Sequence, residues 1–433
     1  MKAVVVGAGL AGLAAAYRLQ KAGWEVVVLE AAAEIGGRTR TFRKDGYLLE
    51  RGATQLSTGY RAYLKLADEI GLGGQIAECA NTVMLMRGGQ LYEIDGTRPI
   101  AALFSKALSF RSKLRMIRGI RDYLRYRPKD VLDVSEAWRA DTETAEAYCE
   151  RRLNREIFDV LVDPLIRTYT INRGANVSAL EWFSGLANLA GQRMLALRGG
   201  IGSFPAALAA MLDVRLSTPV SQVRRDRGGV LVTLEDGETI SADGCVIATP
   251  LPQAAAMAPE LAEAVGPLDA CLKYNRAVNV YLGYRRRTLT DALGVMVPTA
   301  EHPHIGLVWF DHNKLSETAP DGHSLITCYF EEGGLNDLQG CDDAVFGKMA
   351  DDFVTRLFPE LAGQLDMVEV VRWRAAIPNP APGIYTQINR MKYLLSPSDA
   401  IQLAGDYFTC TGQNSAIHWG EVAAANLIGN IPA

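Results

Sequence analysis

The stretch Val4-Val5-Val6-Gly7-Ala8-Gly9-Leu10-Ala11-Gly12, read on to Glu30, decides the fold. Three consecutive valines suit a strand buried on both faces. The residues that follow, Leu13-Ala14-Ala15-Ala16-Tyr17-Arg18-Leu19, are strong helix formers. Gly7 permits the tight turn between them, Gly9 lets a pyrophosphate approach the backbone, and Gly12 lets helix and strand pack closely. The amides at Leu10 and Ala11 open the helix, whose positive end then faces the phosphates. A second apolar run, Trp24-Glu25-Val26-Val27-Val28-Leu29, is closed by Glu30, 18 residues after Gly12. An acid there accepts hydrogen bonds from ribose hydroxyls and repels a 2′-phosphate. Strand, loop, helix, strand and acid in this order predict a Rossmann-type dinucleotide-binding lobe.

The chain has 433 residues, 48% hydrophobic and 22% charged, an ordinary globular composition with length for roughly two to three domains. A net charge of −4 lacks the basic excess of non-specific nucleic-acid binders, and no nucleic-acid partner is expected. Met1-Lys2-Ala3 runs straight into the glycine loop without the apolar stretch of a secretory signal, and no apolar run reads as a spanning helix. The seven cysteines, Cys79, Cys149, Cys245, Cys271, Cys328, Cys341 and Cys410, are scattered without a C-x-x-C pair. They read as buried reduced thiols, which fits a cytoplasmic location. His302 and His304 lie in a proline-flanked loop without ligand spacing, and no metal is expected.

The segment Glu34-Ile35-Gly36-Gly37-Arg38-Thr39-Arg40 resembles the G-G-R element of the flavin amine oxidase superfamily, which includes protoporphyrinogen oxidases and carotenoid desaturases. The resemblance implies FAD, with Gly36 and Gly37 admitting the cofactor and Arg38 meeting its pyrophosphate through a fixed fork of donors. Glu50-Arg51-Gly52-Ala53-Thr54-Gln55 is similar to the family's acid-x-glycine-small segment, which implies Gly52 and Ala53 as the small residues where chain and ring touch, places Thr54 beside the flavin ring and gives Gln55 no role. Thr218-Pro219-Val220 precedes an alternating strand, Val230 to Leu234, and the family residue matching Val220 holds the adenine through its backbone. Asp243 to Pro250 looks like the family strand that ends in A-T-x. Leu403-Ala404-Gly405-Asp406 is similar to the family's G-D element, implying Gly405 and Asp406 at the ribityl chain or a phosphate-linked oxygen. Gly412 to Trp419 opens the last helix. The family geometry implies that its amino end, around Ser415, Ala416 and Ile417, faces flavin N1 and C2=O, where two-electron reduction places negative charge.

The implied fold class is α/β: a Rossmann-type FAD-binding lobe with a second α+β substrate lobe, glutathione-reductase-like and of the amine-oxidase type. The FAD-binding domain takes residues 1–75, 190–270 and 395–433, and residues 76–189 and 271–394 build the substrate-binding domain. Residues 130–190 read as mainly helical, with apolar helical spacing from Glu143 to Val162. Ala277 to Tyr284 alternates as a strand with Val278, Val280 and Leu282 on one face, and Val368 to Trp373 reads as another. Between Leu103 and Lys129 nine basic residues (Lys106, Arg111, Lys113, Arg115, Arg118, Arg121, Arg125, Arg127, Lys129) meet one acid, Asp122, while Phe110, Leu114, Ile117, Ile120 and Leu124 recur at helical spacing. Two readings stay open. The plainer is a helix that packs its apolar side into the core; the other is a helix lying on an anionic membrane surface, passing hydrophobic substrates inward.

Amine oxidases of the family place a lysine near flavin N5 on the strand matching Ala277 to Tyr284. The best match here is Ala277, and Arg276 would point to the other face. One aromatic-cage position of those enzymes falls at Gly412. Arg372-Trp373-Arg374-Ala375-Ala376-Ile377-Pro378 and the run Arg152 to Leu165 look more like protoporphyrinogen oxidases, so the pattern is closest to the protoporphyrinogen oxidase and carotenoid desaturase branch. The expected activity is two-electron oxidation, by hydride transfer to flavin N5, of a hydrophobic or aromatic small molecule at a CH–CH or CH–NH bond. Gly200-Ile201-Gly202-Ser203-Phe204-Pro205 lacks a third glycine and a preceding buried strand, so no NADPH domain is expected and oxygen or a quinone is the acceptor. The alternatives are a flavin-dependent isomerase without net redox turnover, an amine oxidase proper, and a flavin-binding partner protein without catalysis. For proton transfer the candidates are His418 and Tyr385, with a packed structural histidine the plainer reading of the first. A covalent flavin link at Cys410 would demand special geometry and is not expected.

Overall fold

The apolar runs at the start of the chain form β1 (Lys2–Val6) and β2 (Glu25–Leu29), joined by α1 (Leu10–Lys21). A computed structural model describes residues 1–95, 98, 105–189, 191–410 and 412–429. Three further strands complete a parallel sheet: β3 (Asp213–Arg215), β4 (Gly244–Ile247) and β5 (Ile401–Leu403), in the order β3-β2-β1-β4-β5. In register, Val4 lies between Val27 and Cys245. The side chains of Val4, Val27 and Cys245 enter one core cluster, and those of Val5, Val28 and Val246 enter another. This burial on both faces explains the unbroken apolar runs. The last helix, α5 (Gln413–Gly429), crosses α1 on the second of these faces. The two approach so closely that a Cβ at Gly420 would lie 2.2 Å from the Ala11 carbonyl oxygen.

A seven-stranded sheet forms the other lobe, in the order Leu365–Pro378, Tyr274–Tyr284, Ser324–Glu331, Ile305–Phe310, Gly294–Met296, Thr82–Arg87 and Gln90–Asp95. All its pairings are antiparallel except that between Gly294–Met296 and Thr82–Arg87. Val278, Val280 and Leu282 share a cluster with Phe310, Phe330 and Phe346. The alternate face of the same strand meets the first lobe, where the Tyr281 hydroxyl donates to the Glu50 carbonyl.

Three expectations need correction. Residues 130–190 are mainly helical as expected, in separate segments: Ala145–Arg152 stops at Leu153, and the Asn154 side chain accepts the Ile157 amide at 2.8 Å to restart the chain as a new turn. A buried strand does precede Gly200, namely Met194–Leu197, though it runs antiparallel in a small sheet. Gly200 and Gly202 are filled by protein, since Cβ atoms there would lie 2.3 Å from Thr41 Cγ2 and 2.5 Å from the Thr41 amide nitrogen. The cysteines are all free, but Cys271 is exposed and Cys341 half-buried.

The third correction concerns the basic helix, α2 (Phe110–Tyr126). Its apolar stripe does not enter the core; Phe110, Leu114, Ile117, Ile120 and Leu124 are exposed, whereas Ser112 and Asp122 are buried. Leu103 lies outside the described residues. Among the described residues no helix is long and apolar enough to cross a membrane.

Candidate active site

The turn from β1 to α1 shows why each glycine stands where it does. Gly7 has φ +103°, and a Cβ there would lie 3.0 Å from the Ala248 carbonyl oxygen. At Gly12 a Cβ would lie 1.9 Å from the Gly7 carbonyl oxygen, so this position serves strand–helix packing. Gly9 differs, because a Cβ there meets no atom within 4 Å. It is the N-cap of α1 and offers no side-chain cap, which leaves the amides of Leu10, Ala11 and Gly12 without intrahelical acceptors. The second glycine pair lies against this loop. The Gly36 amide donates to the Ala8 carbonyl at 2.8 Å, and a Cβ at Gly37 would find only the Gly9 Cα, at 3.6 Å. Gly9 and Gly37 therefore border the same open space.

Glu30 follows β2 and turns its carboxylate onto the loop, accepting the Ala8 amide at 2.7 Å and the Ala32 amide at 2.9 Å. The Thr218 amide donates to the Glu30 carbonyl at 2.8 Å, which brings Val220, the first residue of its strand, to the same end. Further along, Arg38 and Asp406 meet across 368 positions in a two-pronged ion pair of 2.7 and 2.9 Å. Arg38 also donates to the Ala376 carbonyl at 2.9 Å and sits over the Tyr274 ring at 5.9 Å. Burial disfavours the guanidinium charge, and the Asp406 carboxylate overrides that penalty, holding Arg38 above its ordinary pKa. Gly405 lies against the Tyr407 ring, which a Cβ would approach to 2.5 Å.

Beyond this pair lies the segment Glu50 to Gln55. The Ala53 amide donates to the Arg38 carbonyl at 3.0 Å, and a Cβ at Gly52 would lie 2.3 Å from the same oxygen. Thr54 is held by a residue that sequence reasoning missed: Lys314 donates to its carbonyl at 3.1 Å and its hydroxyl at 3.0 Å. Lys314 is buried with two carboxylates, Glu50 at 3.6 Å and Asp311 at 3.5 Å. Burial pushes both carboxyl pKa values up, with the ammonium working against it. The Gln55 side chain donates to the Leu195 carbonyl at 3.0 Å, and the Gln55 backbone carbonyl accepts from the Gln413 side chain at 3.2 Å, fastening the segment to the start of α5. In α5 the Ala416 amide is already bonded to the Gly412 carbonyl at 3.2 Å, and Ile417 is buried against α1. Of the three helix residues expected to face the cofactor, Ser415 thus keeps a first-turn amide outside the helical ladder, while Ala416 and Ile417 do not.

The two proton-transfer candidates are not brought together. His418 lies half-buried on α5, its ring edge-on to Trp419 at 5.4 Å. Tyr385 is fully buried on α4 (Ile384–Leu394), and its hydroxyl contacts Glu181 and lies 3.2 Å from the Thr409 carbonyl. Glu181, on α3 (Ala179–Leu189), is a second residue the sequence did not single out. Burial pushes its carboxyl up to about 7, with the Tyr385 hydrogen bond opposing the shift. Cys410 is buried at φ +59°, and burial raises its thiol pKa, so it is no ready nucleophile.

These residues fit a flavin dinucleotide. The uncapped start of α1 with open space above Gly9 and Gly37 suits a pyrophosphate, the acid at the end of β2 suits a ribose, and the buried Arg38–Asp406 pair offers polar groups for phosphate and ribityl oxygens. Gly412, at the amino end of α5, also borders open space. Comparison with known proteins agrees. The family model described as flavin containing amine oxidoreductase matches residues 10–428. Coproporphyrinogen III oxidase of Bacillus subtilis is 20% identical over 480 aligned positions, covering 98% of this chain and 97% of that protein. Mitochondrial protoporphyrinogen oxidase of Nicotiana tabacum is 30% identical over 167 positions, which span 38% of this chain and 32% of the tobacco protein. Among solved structures, a triple mutant of putrescine oxidase superposes with a TM-score of 0.81 at 18% identity, covering 99% of both chains.

Proposed function

This chain belongs to the flavin-containing amine oxidoreductase family and is an FAD-dependent enzyme, and from that premise we propose that it oxidises a hydrophobic or aromatic small molecule by two electrons at a CH–CH or CH–NH bond. The names of its relatives favour a porphyrinogen-like substrate. Bound FAD supplies the two-electron acceptor at flavin N5, and oxygen or a quinone regenerates it.

The chain's own residues bind and orient. Gly7 and Gly12 set the turn, the Gly36 amide ties the second glycine pair to the loop, and the amides at Leu10, Ala11 and Gly37 would take the pyrophosphate beside Gly9. Glu30 would accept from the ribose, the Val220 backbone would hold the adenine, and Arg38 with Gly405 and Asp406 would serve the phosphate and ribityl oxygens. Ala53 and Thr54, fixed by Lys314, would line the ring, with the first turn of α5 at its pyrimidine edge. The seven-stranded sheet and the helices between residues 110 and 189 would cover the reacting side and exclude water.

One observation carries the choice of a substrate without a reacting amine. The strand Tyr274–Tyr284 turns Ala277, Asn279 and Tyr281 toward the first lobe, and Asn279 donates to the Arg51 carbonyl at 3.4 Å. This wall is neutral. Arg276 points away and is locked to Glu332, with bonds of 3.0 and 3.1 Å. Lys314, the nearby buried cation, is engaged by Thr54, Glu50 and Asp311. A substrate that presents no amine to deprotonate suits such a wall, where orientation and desolvation supply the rate. The filled glycines at Gly200 and Gly202 support a small oxidant over a second nucleotide.

The test is turnover of the purified holoenzyme in air and with a soluble quinone, offering coproporphyrinogen III, protoporphyrinogen and putrescine in parallel. The reading expects porphyrinogen oxidation with putrescine inert. Putrescine turnover at equal or greater kcat/KM overturns it.

A further inference from the structure

The amphipathicity of α2 is inverted relative to its packing. Its inward side packs Met116, Tyr123 and Tyr126 beside polar anchors: Asp122 accepts from Arg152 at 2.7 and 2.9 Å and from the Tyr148 hydroxyl at 3.1 Å, and the Ser112 hydroxyl accepts from Asn154 at 2.8 Å. Arg115 adds a bond to the Leu153 carbonyl at 2.5 Å. These contacts fix which way the helix faces. They turn Phe110, Leu114, Ile117, Ile120 and Leu124 outward with exposures of 76, 53, 63, 45 and 64%. At about 100° per residue these five fall within an arc of roughly 120°. A contiguous apolar stripe of that kind marks an interaction surface rather than ordinary surface scatter.

The charges around the stripe state what covers it. Arg111, Arg118, Arg121 and Arg125 are exposed on the same helix, and Arg127 and Lys129 follow it. Arg111, Arg118 and Arg121 make no ion pair among the described residues, and the helix's one acid is consumed internally. We propose that α2 is a membrane-docking helix that lays its apolar stripe into the headgroup boundary of an anionic bilayer, with the flanking arginines on lipid phosphates. Two copies of this chain meeting through the stripe would instead oppose like charges, which disfavours self-association. The docked helix also packs on the interior of the fold: Tyr126 on α2 meets Phe183 of α3 at 5.9 Å.

The experiment uses the flavin-loaded enzyme and sedimentation with vesicles, one set of phosphatidylcholine alone and one containing one-third phosphatidylglycerol. Binding to the anionic vesicles at low salt, weakened by added salt, is expected. Arg118→Ala with Arg121→Ala should weaken that binding about thirtyfold, at roughly fivefold per basic residue near the surface. Ile117→Asp with Leu124→Asp should weaken it about a hundredfold or more through lost apolar insertion. Both double variants alter exposed side chains, so flavin content and melting temperature are expected to match the parent. Failure of the parent enzyme to sediment with anionic vesicles overturns the proposal. So does binding indifferent to both variants, or a dimer in sedimentation velocity that Ile117→Asp dissolves, since the stripe would then be covered by a second copy.

Discussion

Substituting Gly9 by alanine separates a glycine kept for a ligand from one kept for packing. Gly9 has φ −78° and ψ 179°, values open to any residue, and its added methyl would meet no protein atom within 4 Å. Losing glycine at an N-cap costs about 0.5–1 kcal/mol. Restricting the unfolded chain returns about 0.4–1 kcal/mol. The apoprotein should therefore melt within about 0.5 kcal/mol of the parent. The methyl does occupy the space that Gly9 shares with Gly37, and it holds a phosphate away from the amides of α1. Losing two charge-assisted hydrogen bonds, at about 1.5–3 kcal/mol each, weakens FAD by about 3–6 kcal/mol. That corresponds to roughly two to four decades in Kd. Gly12→Ala is the contrast: its methyl would lie 1.9 Å from the Gly7 carbonyl oxygen, so the fold itself loses about 1–3 kcal/mol or more. The assay is thermal melting of each apoprotein, followed by titration with FAD monitored by flavin fluorescence. Parent-like FAD affinity in Gly9→Ala, or an apoprotein as unstable as Gly12→Ala, refutes the reasoning.

Glu30→Ala and Arg38→Ala should each weaken FAD retention by about 1–3 kcal/mol, read as flavin content after dialysis, and full retention by both contradicts the site. Glu181→Gln tests the buried acid. Its carboxyl titrates at about 7 folded against about 4.5 unfolded, so between these values the native state binds more protons and stability falls as pH rises. Above pH 7 that penalty is complete, at about 3 kcal/mol. The glutamine variant should therefore gain on the parent from pH 5 to pH 8 in urea midpoints, and a difference that does not change with pH would count against the assignment. Lys314→Met strands Glu50 and Asp311 together in the interior and should cost about 3–5 kcal/mol, with partial recovery on adding Glu50→Gln; an unaffected melting temperature would show that the lysine is not the clamp described.

What could be read from the sequence is what steric limits impose locally. Gly7 at φ +103° and Gly36 at φ +92° occupy conformations that side-chain-bearing residues rarely adopt, so their spacing carries the turn directly. The valine runs reveal β1 and β2 because a strand buried on both faces has no polar alternation to disguise it. The long-range polar contacts could not be read in this way. Arg38 and Asp406 are 368 positions apart, Lys314 and Thr54 are 260 apart, and Tyr385 and Glu181 are 204 apart. No periodicity links such partners; only the fold does. The orientation of α2 failed for a related reason. Helical spacing shows that an apolar stripe exists but not which way it points, and here the distant Arg152, by burying Asp122, turns the stripe to solvent. The strand before Gly200 escaped because Met194–Leu197 has four residues, too few to show alternation.

The central claim is that one flavin dinucleotide, held at the amino ends of α1 and α5, takes two electrons from a substrate that presents no amine to the ring. Anaerobic stopped-flow mixing tests it most directly. The account predicts that the visible flavin band of the holoenzyme bleaches in a single turnover with the ring substrate, persists with a primary amine, and returns when oxygen or a quinone is admitted. Bleaching by the amine alone, or substrate conversion that requires a flavin reduced beforehand and leaves its spectrum unchanged, contradicts the account.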